Sequence, residues 1–301
     1  MRKLSFYLCL LGIAATVVSC KKSQNETTAS NTDAANNALN SNSVNENRYF
    51  DFENSSLSPT DYSLTNNGYT AAFITKGTYS NPQLTTAEFY KGATSIVYQM
   101  PHTTASGSVT NDKSQHRIFS GSESLAMGFD DKRYYGFAVK LDALTEQPTA
   151  ACQLFQIWQG TPMSPPVELS LIPGGTGNTF NFKLCIRNNT TTANPSADIT
   201  IYSGTIQKGA WNTFVLMAIM CNTTDPQNGE LKLWLNGTQV LDWFGRAGYA
   251  DGIIYAGNPY TPNTNFDTFF GPYRPCQLAN IKMYYDQVRY ATTYSAANPD
   301  Q

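Results

Sequence analysis

From Arg48 onward, short apolar or alternating runs are separated by clusters of Gly, Pro, Asn and Ser. The runs have strand length and are rich in β-branched and aromatic residues. None holds a 3.6-residue apolar period, so the pattern predicts many strands and few helices. Expected strands cover 48–53, 69–74, 95–100, 133–141, 150–159, 167–172, 179–186, 198–203, 211–220, 230–236, 239–243 and 281–291. Asn236-Gly237 lies between two such runs and signals a two-residue hairpin, whose central residues both need positive φ. Asn228-Gly229 marks another turn. Many short strands without an internal repeat indicate one all-β domain, a sandwich or jelly roll of two antiparallel sheets.

The period-2 pattern also assigns faces. In 150–159, Phe155 and Ile157 point one way, and Leu154, Gln156 and Trp158 the other. In 179–187, Phe180, Phe182, Leu184 and Ile186 point to the core. Lys183, Cys185 and Arg187 share the opposite face, where the two cations either form a solvated surface or line a groove. In 230–236, Leu231, Leu233 and Leu235 face inward, and Glu230, Lys232 and Trp234 outward. Two sheets packed through such faces leave one outer face free. If that sheet curves, the free face becomes a groove for an extended chain ligand.

The segment before Arg48 follows different rules. Arg2 and Lys3 precede an apolar stretch from Leu4 to Val18, shorter than the roughly 20 residues of a membrane span. It fits the apolar region of a secretory signal. Val17-Val18-Ser19-Cys20 resembles a bacterial lipobox, which implies cleavage before Cys20 and a lipid on its thiol. Residues 1–19 are then a lipoprotein signal and residues 48–301 the domain. Residues 20–47 are a disordered Asn/Ser/Thr/Ala tether that cannot offset its ordering entropy by burial. The expected location is the cell envelope or outer membrane, facing the periplasm or the surface.

Composition narrows the function. Hydrophobic residues at 41% and aromatics at 13% supply a core. Charged residues at 14%, against roughly 25% in typical domains, leave too few for coiled coils or salt-bridged helical surfaces. Twenty basic against twenty-two acidic residues give a formal net charge of −2, without the basic footprint that nucleic acid demands. Loss of the signal removes Arg2 and Lys3 and makes the chain more acidic. Two histidines argue against a multi-histidine metal centre. Cys152, Cys185, Cys221 and Cys276 either pair, in one of three connectivities, or serve as small buried hydrophobes. No CxxC pair suggests zinc. Structural Ca²⁺ is compatible with a sandwich, but no Asp-rich loop marks a site. No other cofactor is expected, and the chain is expected to be a monomer.

Generic catalytic signatures (GxSxG, HExxH, a Walker loop, GxGxxG) are missing, and Gly174-Gly175-Thr176-Gly177 reads as a turn. Neither His102 nor His116 has a serine partner. Glu168 and Glu230 read as polar positions on strand faces rather than a carboxylate pair. An ordered constellation remains. His116-Arg117 comes first, then Leu154-Phe155-Gln156-Ile157-Trp158-Gln159 and Ser164-Pro165-Pro166-Val167-Glu168-Leu169. Trp211-Asn212, Trp234-Leu235-Asn236-Gly237, Gly271-Pro272-Tyr273-Arg274 and Met283-Tyr284-Tyr285-Asp286 follow.

In this order the series resembles the jelly-roll polysaccharide lyases of the glucuronan-lyase, heparin-lyase-I and alginate-lyase type, from about Arg117 to Tyr290. The resemblance implies a concanavalin-like jelly roll acting on an acidic polysaccharide by β-elimination. A base removes the proton α to a uronate carboxylate, and an acid protonates the leaving glycosidic oxygen. Donors neutralise the carboxylate as enolate-like charge develops. Tyr273 matches the Tyr of the Gly-x-Tyr motif, acid and often base. Gln156 matches the neutralising Gln and Arg117 the neutralising Arg. A phenol near pKa 10 needs neighbouring cations to ionise usefully, and Arg274 or Arg117 could supply them. Three positions depart from the family pattern. Trp158 stands where the lyases carry His, Phe269 where they carry Lys, and Phe119 where they carry Glu. Trp158 cannot act as a base but can stack on a sugar. His116 neighbours Arg117 and would point away from it on a strand. The alternative reading is a non-catalytic glycan-binding lipoprotein on the same scaffold. Convergence of Arg117, Gln156 and Tyr273 in one groove would favour the enzyme.

Overall fold

The computed structural model describes residues 47–106, 110–119, 126–188, 198–221 and 229–301. The expected export signal, Cys20, the expected tether up to residue 46 and Asn228 lie outside the described residues. Strands are numbered in chain order. The first sheet runs β15 (Thr238–Phe244), β14 (Glu230–Leu235), β13 (Trp211–Ile219), β8 (Lys132–Leu141), β19 (Ile281–Ala291), β6 (Ser95–Met100), β5 (Gln83–Thr85), with β1 (Arg48–Phe50) also paired to β19. The second runs β12 (Ile199–Gln207), β11 (Thr179–Ile186), β10 (Val167–Ile172), β9 (Cys152–Trp158), β18 (Asp267–Pro275), β7 (Asn111–Phe119), β4 (Tyr69–Lys76), β3 (Leu64–Asn66), β2 (Ser56–Leu57). A separate hairpin pairs β16 (Ile253–Tyr255) with β17 (Asn258–Tyr260), and α1 (Tyr294–Ala297) is a single turn. The late strands β18 and β19 sit in the middle of the two sheets, between strands formed far earlier in the chain. The result is a jelly-roll sandwich.

Each expected strand is present, some shortened or extended. β7 and β18 are additional, as are the short β2, β3, β5, β16 and β17. One apolar core joins the two sheets. At its centre Phe137 stacks on Phe214 and on Phe155, with centroids 5.4 and 5.8 Å apart, and meets Tyr285 at 5.8 Å. The inward faces of β11 and β14 are as expected, although Leu235 is only half-buried. Asn236 and Gly237 adopt φ of 50° and 75° and close the β14–β15 hairpin, as a type I′ turn requires. Cys152, Cys185, Cys221 and Cys276 form no disulfide with one another, and the first three are buried.

One face assignment fails, at β9. Leu169 pairs with Phe155 but the next residue, Ser170, pairs with Gln153, so Leu154 is an extra residue. Such a bulge reverses the alternation beyond it. Leu154 is therefore in the core, and Gln153 joins Gln156 and Trp158 on the outer face.

Arg274, expected as a groove cation, is among the residues lining the groove on the outer face of the second sheet, but its guanidinium is turned inward and buried. It pairs in register with Asp112 across β18 and β7, and its guanidinium lies 3.6 Å from the Asp112 carboxylate with neither side chain exposed. Arg274 also donates to the carbonyls of Ala279 and Pro101. Asp112 accepts from the Thr103 hydroxyl and, at 2.9 Å, from the Thr78 N–H. Strand alternation is the cause: with Tyr273 facing out, Arg274 must face in. Removing one partner of a fully buried pair strands the other charge, which costs about 3–5 kcal/mol. R274M is expected to lose stability of that order in a urea titration. R274M/D112N, which also removes the orphaned charge, is expected to recover part of it.

Candidate active site

The outer face of the second sheet carries a groove of about 720 Å³. Its floor can be described as rows of register partners, with neighbouring strands about 4.8 Å apart. One row runs Lys76 on β4, Lys113 on β7, Tyr273 on β18 and Gln153 on β9. Further along the same face a second row runs Arg117 on β7, Phe269 on β18, Gln156 on β9 and Glu168 on β10, of which Gln156 and Glu168 line the groove.

Gly271-Pro272-Tyr273 owes its glycine to packing. Gly271 has φ +105°, and a Cβ there would sit 2.6 Å from the Ser114 carbonyl oxygen and 3.1 Å from Gln115 Cα. Only Gly allows both this backbone conformation and this approach. The Gln115 amide donates to the Gly271 carbonyl at 2.9 Å, and the Gln156 amide donates to Gln115 Oε1 at 2.8 Å. Gln156 is thus linked through Gln115 to the strand that presents Tyr273. Gln153, only 8% exposed, has no hydrogen-bond partner on its side-chain oxygen, so its amide is not committed at that atom.

Lys113 lies among three aromatic rings. Its ammonium is 4.4 Å from the centroid of Phe269, 5.3 Å from Tyr273 and 5.9 Å from Trp158. Burial lowers its pKa to about 8; Asp267 opposes that shift, and Arg117 and Lys76 add to it. Tyr273 moves the other way, raised by burial and by the negative charge of Glu168. The expected lowering by Arg274 or Arg117 does not occur. Glu168 is itself held by Arg187 at 3.3 Å and by the Ser170 hydroxyl at 2.5 Å. Arg187 in turn donates to the Pro165 carbonyl at 2.5 Å. The Trp158 indole N–H donates to the Met163 carbonyl at 2.6 Å. This holds the loop that forms one wall, and Met163 packs against Tyr249 and Ile253 behind it.

Gln156, Trp158, Arg187 and Tyr273 therefore share one groove, together with Lys76, Lys113, Gln153 and Glu168, which the sequence reading did not select. Arg117 projects from the same face of β7 as Lys113 but four residues along, roughly 13 Å at strand spacing. It pairs with Asp267 at 3.8 Å and does not line the groove. Lys183 is bound to Asp198 and also lies outside it. His116 faces the interior, bonded to the Tyr98 hydroxyl at 2.5 Å and the Tyr62 carbonyl at 2.9 Å, and burial lowers its pKa to about 4. It cannot replace the missing groove histidine. A signal for Lys113 was present in the sequence: Lys113, Gln115 and Arg117 have strand periodicity and must share a face.

The family model described as polysaccharide lyase matches residues 39–289. The chain belongs to the polysaccharide lyase family. As a member of that family the protein is a lyase, and its jelly roll is the fold of solved relatives. It is similar to the endo-β-1,4-glucuronan lyase of the fungus Trichoderma reesei, at 17% identity and a TM-score of 0.57, over 78% of this chain and 95% of that one. It is also similar to an alginate lyase from Alteromonas, at 12% identity and a TM-score of 0.40, over 70% and 93% of the two chains. An alginate lyase bound to an alginate trisaccharide aligns at 12% identity and a TM-score of 0.43, over 65% and 80%. No curated relative matches the sequence.

In this groove Tyr273 is a neutral phenol at neutral pH. Because Glu168 raises its pKa, E168Q is expected to lower it, and the Arg187 charge left behind acts in the same direction. The check is an absorbance pH titration, taken as the difference between E168Q and E168Q/Y273F and compared with the same difference for wild type and Y273F.

Proposed function

We propose that the protein cleaves a uronate-containing polysaccharide by β-elimination in this groove, with Tyr273 as the general acid. The observation that carries the reading is the environment of Tyr273. Burial and Glu168 keep the phenol protonated, and it stands beside Gln153 and Lys113. An acid must hold its proton until the leaving oxygen needs it, so a raised phenol pKa suits that role. Gln156 and Gln153 provide amides at the floor of the groove for the uronate carboxylate. Hydrogen bonds to that carboxylate strengthen as charge moves onto it from the α carbon, which makes the α-proton removable. Lys76 lies beyond Lys113 in the same row, and Arg117 lies further along β7. Their charges suit carboxylates on adjoining sugars of a polyanionic chain. Trp158 offers an aromatic ring in the wall. The glucuronan lyase among the solved relatives is named for a uronate polymer, which supports the same substrate class. In this reading the signal and the lipid on Cys20 hold the enzyme at the cell envelope, where such polymers are met outside the cytoplasm.

The test uses glucuronan, alginate and heparin-type glycans and follows the absorbance of the unsaturated product. Activity on at least one of them is expected. Y273F is expected to lower kcat by about 10²–10⁴-fold, the usual contribution of a positioned acid, with an unchanged circular-dichroism spectrum. Failure of the whole panel, or full activity in Y273F, would overturn the reading.

A further inference from the structure

We infer that Lys113 is the base of this reaction, facing Tyr273 across one strand pair and working with it from the same side of the sugar. The inference rests on the lyase reading and supplies the group that the reading lacks. The family histidine is replaced by Trp158, whose indole accepts no proton. His116 faces the core. Glu168 is engaged by Arg187 and Ser170. Tyr273 is protonated and serves as the acid. Lys113 lines the groove, and no hydrogen bond or ion pair among the described residues holds its ammonium. Its surroundings are the rings of Phe269, Tyr273 and Trp158. The charged groups around it are Lys76 on β4, Arg117 on its own strand β7, and Asp267 on β18. Asp267, the one acid among these three, also pairs with Arg117. A pKa near 8 leaves an appreciable neutral fraction at mildly alkaline pH, as a catalytic lysine needs.

The step balances without a co-reactant. The Nζ lone pair takes the C5 proton, and the C5–H electrons become the C4=C5 π bond. The C4–O4 bond breaks, and its electron pair leaves with the glycosidic oxygen, which receives the Tyr273 proton. The products are an unsaturated uronate at one new chain end and a free reducing end at the other. Transfer of one proton from the Lys113 ammonium to the Tyr273 phenolate restores both groups, and no water is consumed. Lys113 and Tyr273 are direct register partners on one sheet face, so both reach the ring from one side. That geometry suits uronates whose C5 hydrogen and C4 oxygen are cis, as in D-glucuronate and D-mannuronate. It disfavours L-guluronate and D-galacturonate, where they are trans.

The experiment compares wild type, K113R and K113A on glucuronan, polymannuronate and polyguluronate. K113R keeps a cation among the rings but cannot deprotonate. It is expected to lose about 100-fold or more in kcat, while K113R/Y273F binds a glucuronate oligosaccharide as tightly as Y273F in calorimetry. K113A is expected to be equally slow and to recover with added methylamine in proportion to the free base. Wild-type kcat should fall about tenfold per pH unit below about 8, where Lys113 holds its proton. Wild-type activity with K113R within tenfold of it would overturn the base assignment and leave the lyase reading intact. Cleavage of polyguluronate as fast as glucuronan would overturn the same-side geometry. Wild type inactive on all three polymers and on heparin-type glycans would overturn the lyase reading and the base assignment together.

Discussion

Arg274 and Asp112 meet in the interior as register partners, and the placement of the groove residues follows from that contact. Each charge would be costly there without the other. A one-residue slip of β18 against β7 would bring every side chain on the slipped strand to the wrong face and strand both ions. Alternation then sends the residue after Asp112 and the residue before Arg274 outward, which makes Lys113 and Tyr273 neighbours in the groove. Gly271 and the Gln115 amide fix the same register from the outer side. A polar contact in the core thus positions two groups that never touch it.

The charge of the groove bears little relation to the charge of the molecule. Overall the chain is slightly acidic. Across the groove, Lys76 and Lys113 occupy the β4–β7 side, and Glu168 sits on the β10 side with Arg187 against it. Such a gradient orients a polyanion more than it tightens binding. It also explains why two titratable groups side by side shift apart. Lys113 is pulled toward neutrality by burial near other cations, while Tyr273 is held neutral by burial near a carboxylate.

The strands with one apolar face were legible from the sequence because their period reports burial directly. β7 and β18 were not, and they carry Lys113, Arg117 and Tyr273. In β7 the inward residues Asp112, Ser114 and His116 are polar. Asp112 and His116 are satisfied there by specific partners, so no alternation of apolar and polar positions survives. In β18, Gly271 and Pro272 interrupt the alternation, although the strand continues through them. Gln156 and Tyr273 were recognisable through motif resemblance, and Arg187 through strand parity. Gln153 was hidden by the Leu154 bulge, which depends on pairing with β10. Arg274 was legible as a neighbour of the groove, but the inward turn of its guanidinium was not, because that depends on the direction of its strand.

The sheet order has a consequence in time. β18 lies between β7 and β9, and its residues follow theirs by more than a hundred positions. During synthesis the strands bearing Lys113, Gln153 and Gln156 emerge first and have no Tyr273 to face. Nor can they pair with each other in the final order, since the space between them belongs to a strand not yet made. Long-range pairing of this kind is slow and comes late. The groove therefore comes into being only when the C-terminal portion of the chain has inserted, so the chemistry is switched on by completion of the fold itself.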